Sequence, residues 1–287
     1  MMIKKEIYET QNEEKMQSII VAQHYEYKAA KILSFILICF SVFVPIVINV
    51  LSKYITDDVF IVVSGSLLIA SIIIGEILKN VIEKKKKNAA YLQQYFDLTI
   101  FKLEKYEVLD PYKIATIIAK YKNKDWDRKK DWYSKYNGDS HIKIVFKCQQ
   151  ENLQWTNRIG VYYISFLIVF YIILLVFFLL IAIMNSNWTF FMIQLISCIP
   201  LGKYIYSSAK KIIDDQIKLK ESLDFSKKIN FNLADLSDEE IEALVVTLQN
   251  KIYSIRKKRF LIPDWFEAIF YKKNNRIEQI IGEIDDL

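Results

Sequence analysis

Hydrophobic and polar positions fall in long blocks along this chain, and the blocks predict helices that enter and leave a membrane. The most apolar block is 161–184, 24 residues without a charge. As a helix rising ~1.5 Å per residue it reaches about 36 Å, enough to cross a ~30 Å hydrocarbon core with some tilt. A core helix of a soluble protein rarely stays apolar on every side for that length. Three more blocks have the same character. Residues 32–51 are uncharged, with Pro45 placed to kink the helix. Residues 59–78 are charged only at Glu76 and rich in small side chains. Residues 188–207 contain Lys203 about one turn from the end, where its amine can snorkel to the headgroups. Short polar stretches at 52–58 and 185–187 close two hairpins.

The polar blocks between these spans carry helical periodicity too. In 13–30 the apolar positions Met16, Ile19, Ile20, Tyr25 and Tyr27 predict a juxtamembrane amphipathic helix. Residues 89–108 predict another. Asp110-Pro111 supplies an N-cap and a first helical residue for a helix to about 124. A helix from about 140 is predicted to run unbroken into 161–184, and the fourth span to continue to about 225. Ser237 and Glu240 form a capping-box pattern that opens a helix to about Arg259. A last amphipathic helix is predicted from Trp265 to about Ile284. The expected fold class is an all-α integral membrane protein: four transmembrane helices in two hairpins, 32–78 and 161–207, plus a discontinuous helical cytoplasmic region. That region comprises 1–31, 79–160 and 208–287.

Composition agrees with long helices, with only six glycines and four prolines in 287 residues. The net charge of +6 is distributed unevenly. Thirteen basic residues flank the spans on one side: Lys28, Lys31, Lys79, Lys84 to Lys87, Lys147, Arg158, Lys210, Lys211, Lys218 and Lys220. The opposite loops carry Lys53 alone. The positive-inside rule then places both termini and 79–160 in the cytoplasm. It accounts for the charge without binding of a DNA or RNA polymer, and Lys84 to Lys87 read as an orientation and lipid signal. Cys39, Cys148 and Cys198 have no metal or redox spacing. There is no phosphate-cradling Gly-rich loop, and His24 and His141 are isolated in sequence. A nucleophile–base pair of Cys148 and His141 reads as incidental. No catalytic residue, metal ligand or cofactor is expected.

Several residues outside the spans carry a resemblance. Ile7, Gln11-Asn12, Ala22-Gln23, Tyr27 and Ala30-Lys31 precede the first span. Asp131-Trp132-Tyr133 is followed by Cys148-Gln149, Asn152, Trp155 and Arg158, then Tyr162 or Tyr163 at the entry to the third span. Leu248-Gln249, Ile252, Arg256 and Pro263-Asp264-Trp265-Phe266 lie toward the C-terminus. Over essentially the whole length the chain resembles the SMODS-associating four-transmembrane effectors of bacterial conflict systems. It departs from that pattern at Ser134, where a proline is usual, and at Asn157. The resemblance implies an anti-phage effector that forms a pore or disrupts the inner membrane when a cyclic oligonucleotide is sensed. It brings no established ligand motif.

The residues themselves offer candidates for both tasks. Ser34, Ser41 and Asn49 share a face of the first span, Ser64 and Ser71 a face of the second, with Glu76 adjacent. Gln194 and Ser197 share a face of the fourth. They can line a weakly polar pore, which four helices of one chain are too few to enclose, so a homo-oligomer is expected. They can equally serve close helix packing, with each Ser bonding back to its own helix. For a cyclic nucleotide, cations must meet phosphates and flat rings must meet bases. Arg128, Lys129 and Lys130 beside Trp132 and Tyr133 supply both, as do Trp155 with Arg158, and Arg256 to Arg259 with Phe260. The same basic runs can instead bind anionic lipid. The competing functions are a non-pore membrane sensor or scaffold and a small transporter. The transporter is disfavoured because no span carries a charge at its centre.

Overall fold

The computed structural model describes residues 7–285 other than 52–53, 56, 105–106, 108, 137–139, 186–187 and 233–235. Side chains are not described at 42, 46, 49–50, 174–175, 177–179, 181–201, 229–232, 279 and 281–285. Asn49, Gln194 and Ser197 therefore lie outside the described side chains.

The described residues form helices and the loops that join them, without strands. The elements are α1 (Ile7–Gln11), α2 (Glu14–Ile38), a π-helical turn (Cys39–Phe43), α3 (Val44–Leu51), α4 (Asp58–Phe101), α5 (Pro111–Ala119), α6 (His141–Asn185), α7 (Trp188–Asn232), α8 (Asp238–Lys258) and α9 (Asp264–Asp285). The starts have the caps their sequences call for. The Asp57 carboxylate accepts from the Phe60 N–H at the head of α4, and Asp110 from the Tyr112 N–H at the head of α5. At α8 the Ser237–Glu240 capping box is closed in both directions.

Pro45 acts differently from a simple kink. It has no N–H for the Ser41 carbonyl, and its ring crowds that turn. The backbone widens just before it: the Val44 N–H reaches the Cys39 carbonyl, five residues back, so the first apolar block is α-helix, π-turn and α-helix in succession.

Two antiparallel pairs form the frame. In the α2–α4 pair, Glu26 meets Lys85 at 3.0 Å near one end, and Ser41 lies beside Gly75 near the other. In the α6–α7 pair, Gln150 bonds Ser226 at one end and Tyr171 approaches Gly202 at the other. Helix α8 packs across α4, α6 and α7, and α9 lies on α6. The main core sits among the polar blocks, built from residues such as Ile19, Phe96, Phe101, Phe146, Leu153, Val245 and Leu248. The apolar blocks are turned outward, with Val59 72% and Ile72 68% exposed. Such a distribution suits lipid and not water. Among the described residues, Asp58–Phe101 and His141–Ile173 are long and apolar enough to cross a membrane.

A polar network clamps the core. Asp97 of α4 pairs with Arg256 of α8 at 2.5 Å and accepts the Gln249 amide and the Tyr133 hydroxyl. Gln249 also donates to Gln94 and accepts from Gln149 of α6. Gln11 embraces the Tyr133 backbone, accepting its N–H at 2.8 Å and donating to its carbonyl at 3.1 Å. Asn12 bonds Asp131, whose φ of 51° lies in the left-handed region. Ser134 donates its N–H and its hydroxyl to Glu151. A proline there could do neither, so this departure from the family pattern has its own anchoring bond.

Candidate ligand cavity

The π-turn and the apolar belt mark one end of α2. Between them and the core lies a cavity of about 550 Å³. Helix α2 lines it with Gln23, His24, Tyr27, Lys28 and Lys31, residues spaced to share one helical face. Helix α6 adds Asn152, Trp155, Thr156, Ile159 and Gly160, also on one face, and α7 adds Ile212, Asp215, Gln216 and Leu219. Gly160 lets Gln216 fill the space beside α6: a Cβ there would stand 1.8 Å from Gln216 Nε2 and displace that side chain. Two loops close the remaining sides, with Trp126, Asp127, Arg128 and Trp132 from one and Arg259 to Ile262 from the other. The first turn of α9 completes it with Asp264, Trp265, Glu267 and Ala268.

Four of the chain's five tryptophans, Trp126, Trp132, Trp155 and Trp265, line this one space. The His24 ring stacks on Trp126 at 4.1 Å and 8°, and Trp126 meets Trp132 at 6.3 Å. Tyr25 holds the loop in place, stacking on Tyr121 and donating to the Asp125 carbonyl. The His24 pKa is lowered to about 4, chiefly by burial, with Lys31, Lys28 and Arg128 adding to the shift against the opposing pull of Asp264. The ring is therefore neutral near pH 7, and stacks as an uncharged plane.

The cations are presented against aromatic faces or carboxylates. Arg128 lies 4.0 Å over the Tyr271 ring, Arg259 5.2 Å over Tyr27, and Lys28 5.7 Å over Tyr25. Lys31 is bound by Asp264 at 2.6 Å and Glu267 at 3.0 Å. Asp215 accepts the Phe260 N–H at 2.7 Å, fixing the loop that carries Arg259. Buried polar atoms on four lining residues, Gln23 Oε1, Tyr27 Oη, Gln93 Oε1 and Gln216 Oε1, have no hydrogen-bond partner. Flat rings, fixed cations and the carboxylates of Asp215, Asp264 and Glu267 thus line one space.

Of the residues singled out by sequence, Arg128, Trp132 and Trp155 meet at this cavity. Arg259 and Phe260 of the second basic run join them, while Arg256 is taken up by Asp97. Tyr133 is 2% exposed and turned into the core, where its hydroxyl bonds Asp97. Lys129 pairs with Asp125 one turn back, Lys130 is exposed, and Arg158 pairs with Glu278 of α9. None of these four lines the cavity. The sequence reading missed His24, Lys28 and Lys31, because it followed only the apolar spacing of that segment. Their signal was the complementary polar face at 23, 24, 27, 28 and 31.

The pore candidates are distributed otherwise. Ser64 and Ser71 donate to the carbonyls of Ile61 and Leu68 in their own helix. Ser34 is half-buried, Ser41 is exposed but lies beside Gly75, and Glu76 is exposed with Lys79 at 2.5 Å. His141 donates to the Phe101 carbonyl, and burial pushes the Cys148 thiol well up, so the two do not form a nucleophile and base.

No curated protein and no solved structure matches the chain. A sequence model described as the SMODS-associating 4TM effector domain matches residues 5–281. With the match running almost from end to end over an all-helical chain with exposed apolar helices, this protein belongs to the SMODS-associating 4TM effector family and is a membrane effector.

Proposed function

We propose that this protein is an inner-membrane effector of a bacterial anti-phage system that opens the membrane when a cyclic oligonucleotide enters the cytoplasmic cavity. Four helices cross the bilayer in two hairpins, both termini lie in the cytoplasm, and several copies assemble around the passage. The observation that carries the reading is the convergence of four tryptophans with Lys28, Lys31, Arg128 and Arg259 on one cavity. Bases stack on flat side chains, and phosphates are held by guanidinium and ammonium groups. The cavity is lined by α2, α4, α6 and α7, and each of these helices continues without a break into an apolar block. A ligand that prefers one arrangement of these helices shifts the population toward it, which requires no chemical step. Ser34, Ser41, Asn49, Ser64, Ser71 and Glu76 are the polar positions available to line the passage between copies.

Titration of the full chain in lipid nanodiscs with a panel of cyclic di- and trinucleotides tests the site, with tryptophan fluorescence as readout. Quenching by at least one of them is expected, as is loss of that response in Arg128→Gln. Proteoliposomes loaded with a self-quenching dye test the outcome. Dye release on adding the same nucleotide is expected. Quenching without release or depolarisation at any concentration overturns the pore and leaves a sensor or scaffold.

A further inference from the structure

The cavity's cations differ in what they face. Lys28, Arg128 and Arg259 lie over aromatic rings, whereas Lys31 is held by two carboxylates that line the same cavity. Its side chain is 13% exposed, against 43% and 35% for Asp264 and Glu267. Both carboxylates come from the first turn of α9, where the helix N-terminus favours negative charge. Two oxygens three residues apart converge on one ammonium, as two oxygens of a phosphate would. The geometry points to Lys31 as the anion seat of the cavity, occupied in the resting protein by the chain's own Asp264 and Glu267. This rests on the reading of the cavity as a nucleotide site and adds how that site is kept closed.

The consequence follows from what α9 holds together. Its carboxylates bind α2 through Lys31, next to the first apolar block. Its rings Phe266 and Phe270 stand 4.9 and 4.6 Å from Tyr163 and Tyr162 of α6, at the entry to the third. The helix therefore straps one hairpin to the other. A second cavity cation, Arg128, also rests on α9, over Tyr271. A phosphate diester that takes Lys31 and Arg128 removes both attachments at once. The orphaned polar atoms of Gln23, Tyr27, Gln93 and Gln216 independently mark the closed arrangement as one with unmet hydrogen bonds. Such atoms favour a rearrangement that supplies partners.

The test compares the wild type with Asp264→Asn/Glu267→Gln, and with the same pair combined with Lys31→Gln. Glu267→Gln alone serves as a milder second variant. Tryptophan fluorescence in nanodiscs reports affinity for the cyclic di- and trinucleotide panel and for inorganic pyrophosphate. Amide hydrogen exchange over 264–270 reports the strap. Removing the competing carboxylates is expected to tighten binding about tenfold, with a smaller gain in the single variant. Lys31→Gln is expected to abolish the gain, and exchange over 264–270 to be fast without ligand in the double variant. Unchanged affinity and exchange, with the wild type still quenched by a nucleotide, overturn the seat and leave the cavity reading intact. A panel that quenches neither the wild type nor any variant overturns the cavity reading and this inference with it.

Discussion

His24 shows how a single residue's environment sets its behaviour. In sequence it is an isolated histidine on a polar lead-in. In the fold its ring is sandwiched against Trp126 and surrounded by Lys31, Lys28 and Arg128, with Asp264 alone pulling the other way. An unfolded chain takes up this proton near pH 6.5, whereas the folded protein resists until about pH 4. The stability it contributes is thus complete above pH 6.5 and falls as pH is lowered toward 4. Melting temperatures of wild type and His24→Gln across pH 4 to 7 should converge as pH falls, the variant lacking this histidine's contribution to the slope. Parallel curves through that window, or a titration of the ring near 6.5, would rule it out. Asp131-Trp132-Tyr133 teaches a related lesson. Read as a string, it offers two rings to one ligand. The backbone at Asp131 is left-handed, and the next two side chains diverge, Trp132 to the cavity and Tyr133 to Asp97. Adjacency in sequence cannot distinguish these, because the turn is fixed by Gln11 and Asn12 more than a hundred residues away.

Among the elements, the helices and their caps were legible. Ser237 with Glu240, Asp110 with Pro111, and the continuous passage from about 140 into the third apolar block all appear as their patterns indicate. Periodicity reveals that continuity after the fourth span too, but not after the second, where the basic run at 84–87 reads as a boundary and the helix in fact runs on. Helix α4 passes through 78, α6 through 160 and α7 through 207. Apolar and polar blocks are consecutive lengths of the same rods, so a shift at the cavity end is carried along the axis. Five of the residues behind the family resemblance lock these rods together: Gln149, Gln249, Arg256 and Tyr133 belong to the Asp97 network, and Gln11 holds the Tyr133 backbone. Asp97 is 1% exposed, and Arg256 2%. Removing one charge leaves the other buried without its partner, which costs about 3–5 kcal/mol. Asp97→Asn should lower the melting temperature of the detergent-solubilised protein by many degrees while the apolar helices remain helical by circular dichroism. A shift of only a degree or two would show that α8 is held by its apolar face alone, through Ile241, Val245, Leu248 and Ile252.

At the scale of the whole molecule, the distribution of apolar surface is reversed between two zones. Around the core, apolar side chains are inside together with the paired charges of Asp97 and Arg256. Between Ile32 and Ile77 and between Val161 and Leu180 many of the described large apolar side chains face out, among them Phe35, Val59, Ile72, Phe170 and Ile173. Water would penalise that surface by roughly 25 cal/mol for each Å² left exposed, and lipid removes the penalty. Charge is also unequal between the ends: basic residues crowd the cavity side, and Asp57 and Asp58 lie at the other end of the first hairpin. Tyr54, 76% exposed, marks that far end, and Tyr112, 81% exposed, stands at the head of α5 on the core side. In a background with Cys39, Cys148 and Cys198 replaced by alanine, Tyr54→Cys should react with a membrane-impermeant maleimide added to spheroplasts. Tyr112→Cys should react only after the membrane is permeabilised. Labelling of both sites from outside would mean that the first hairpin does not span. Labelling of Tyr112→Cys alone would invert the orientation and put the cavity on the wrong side of the membrane for a cytoplasmic signal. The pair of variants thus tests the topology that the proposed function requires, and does so without needing the activating nucleotide.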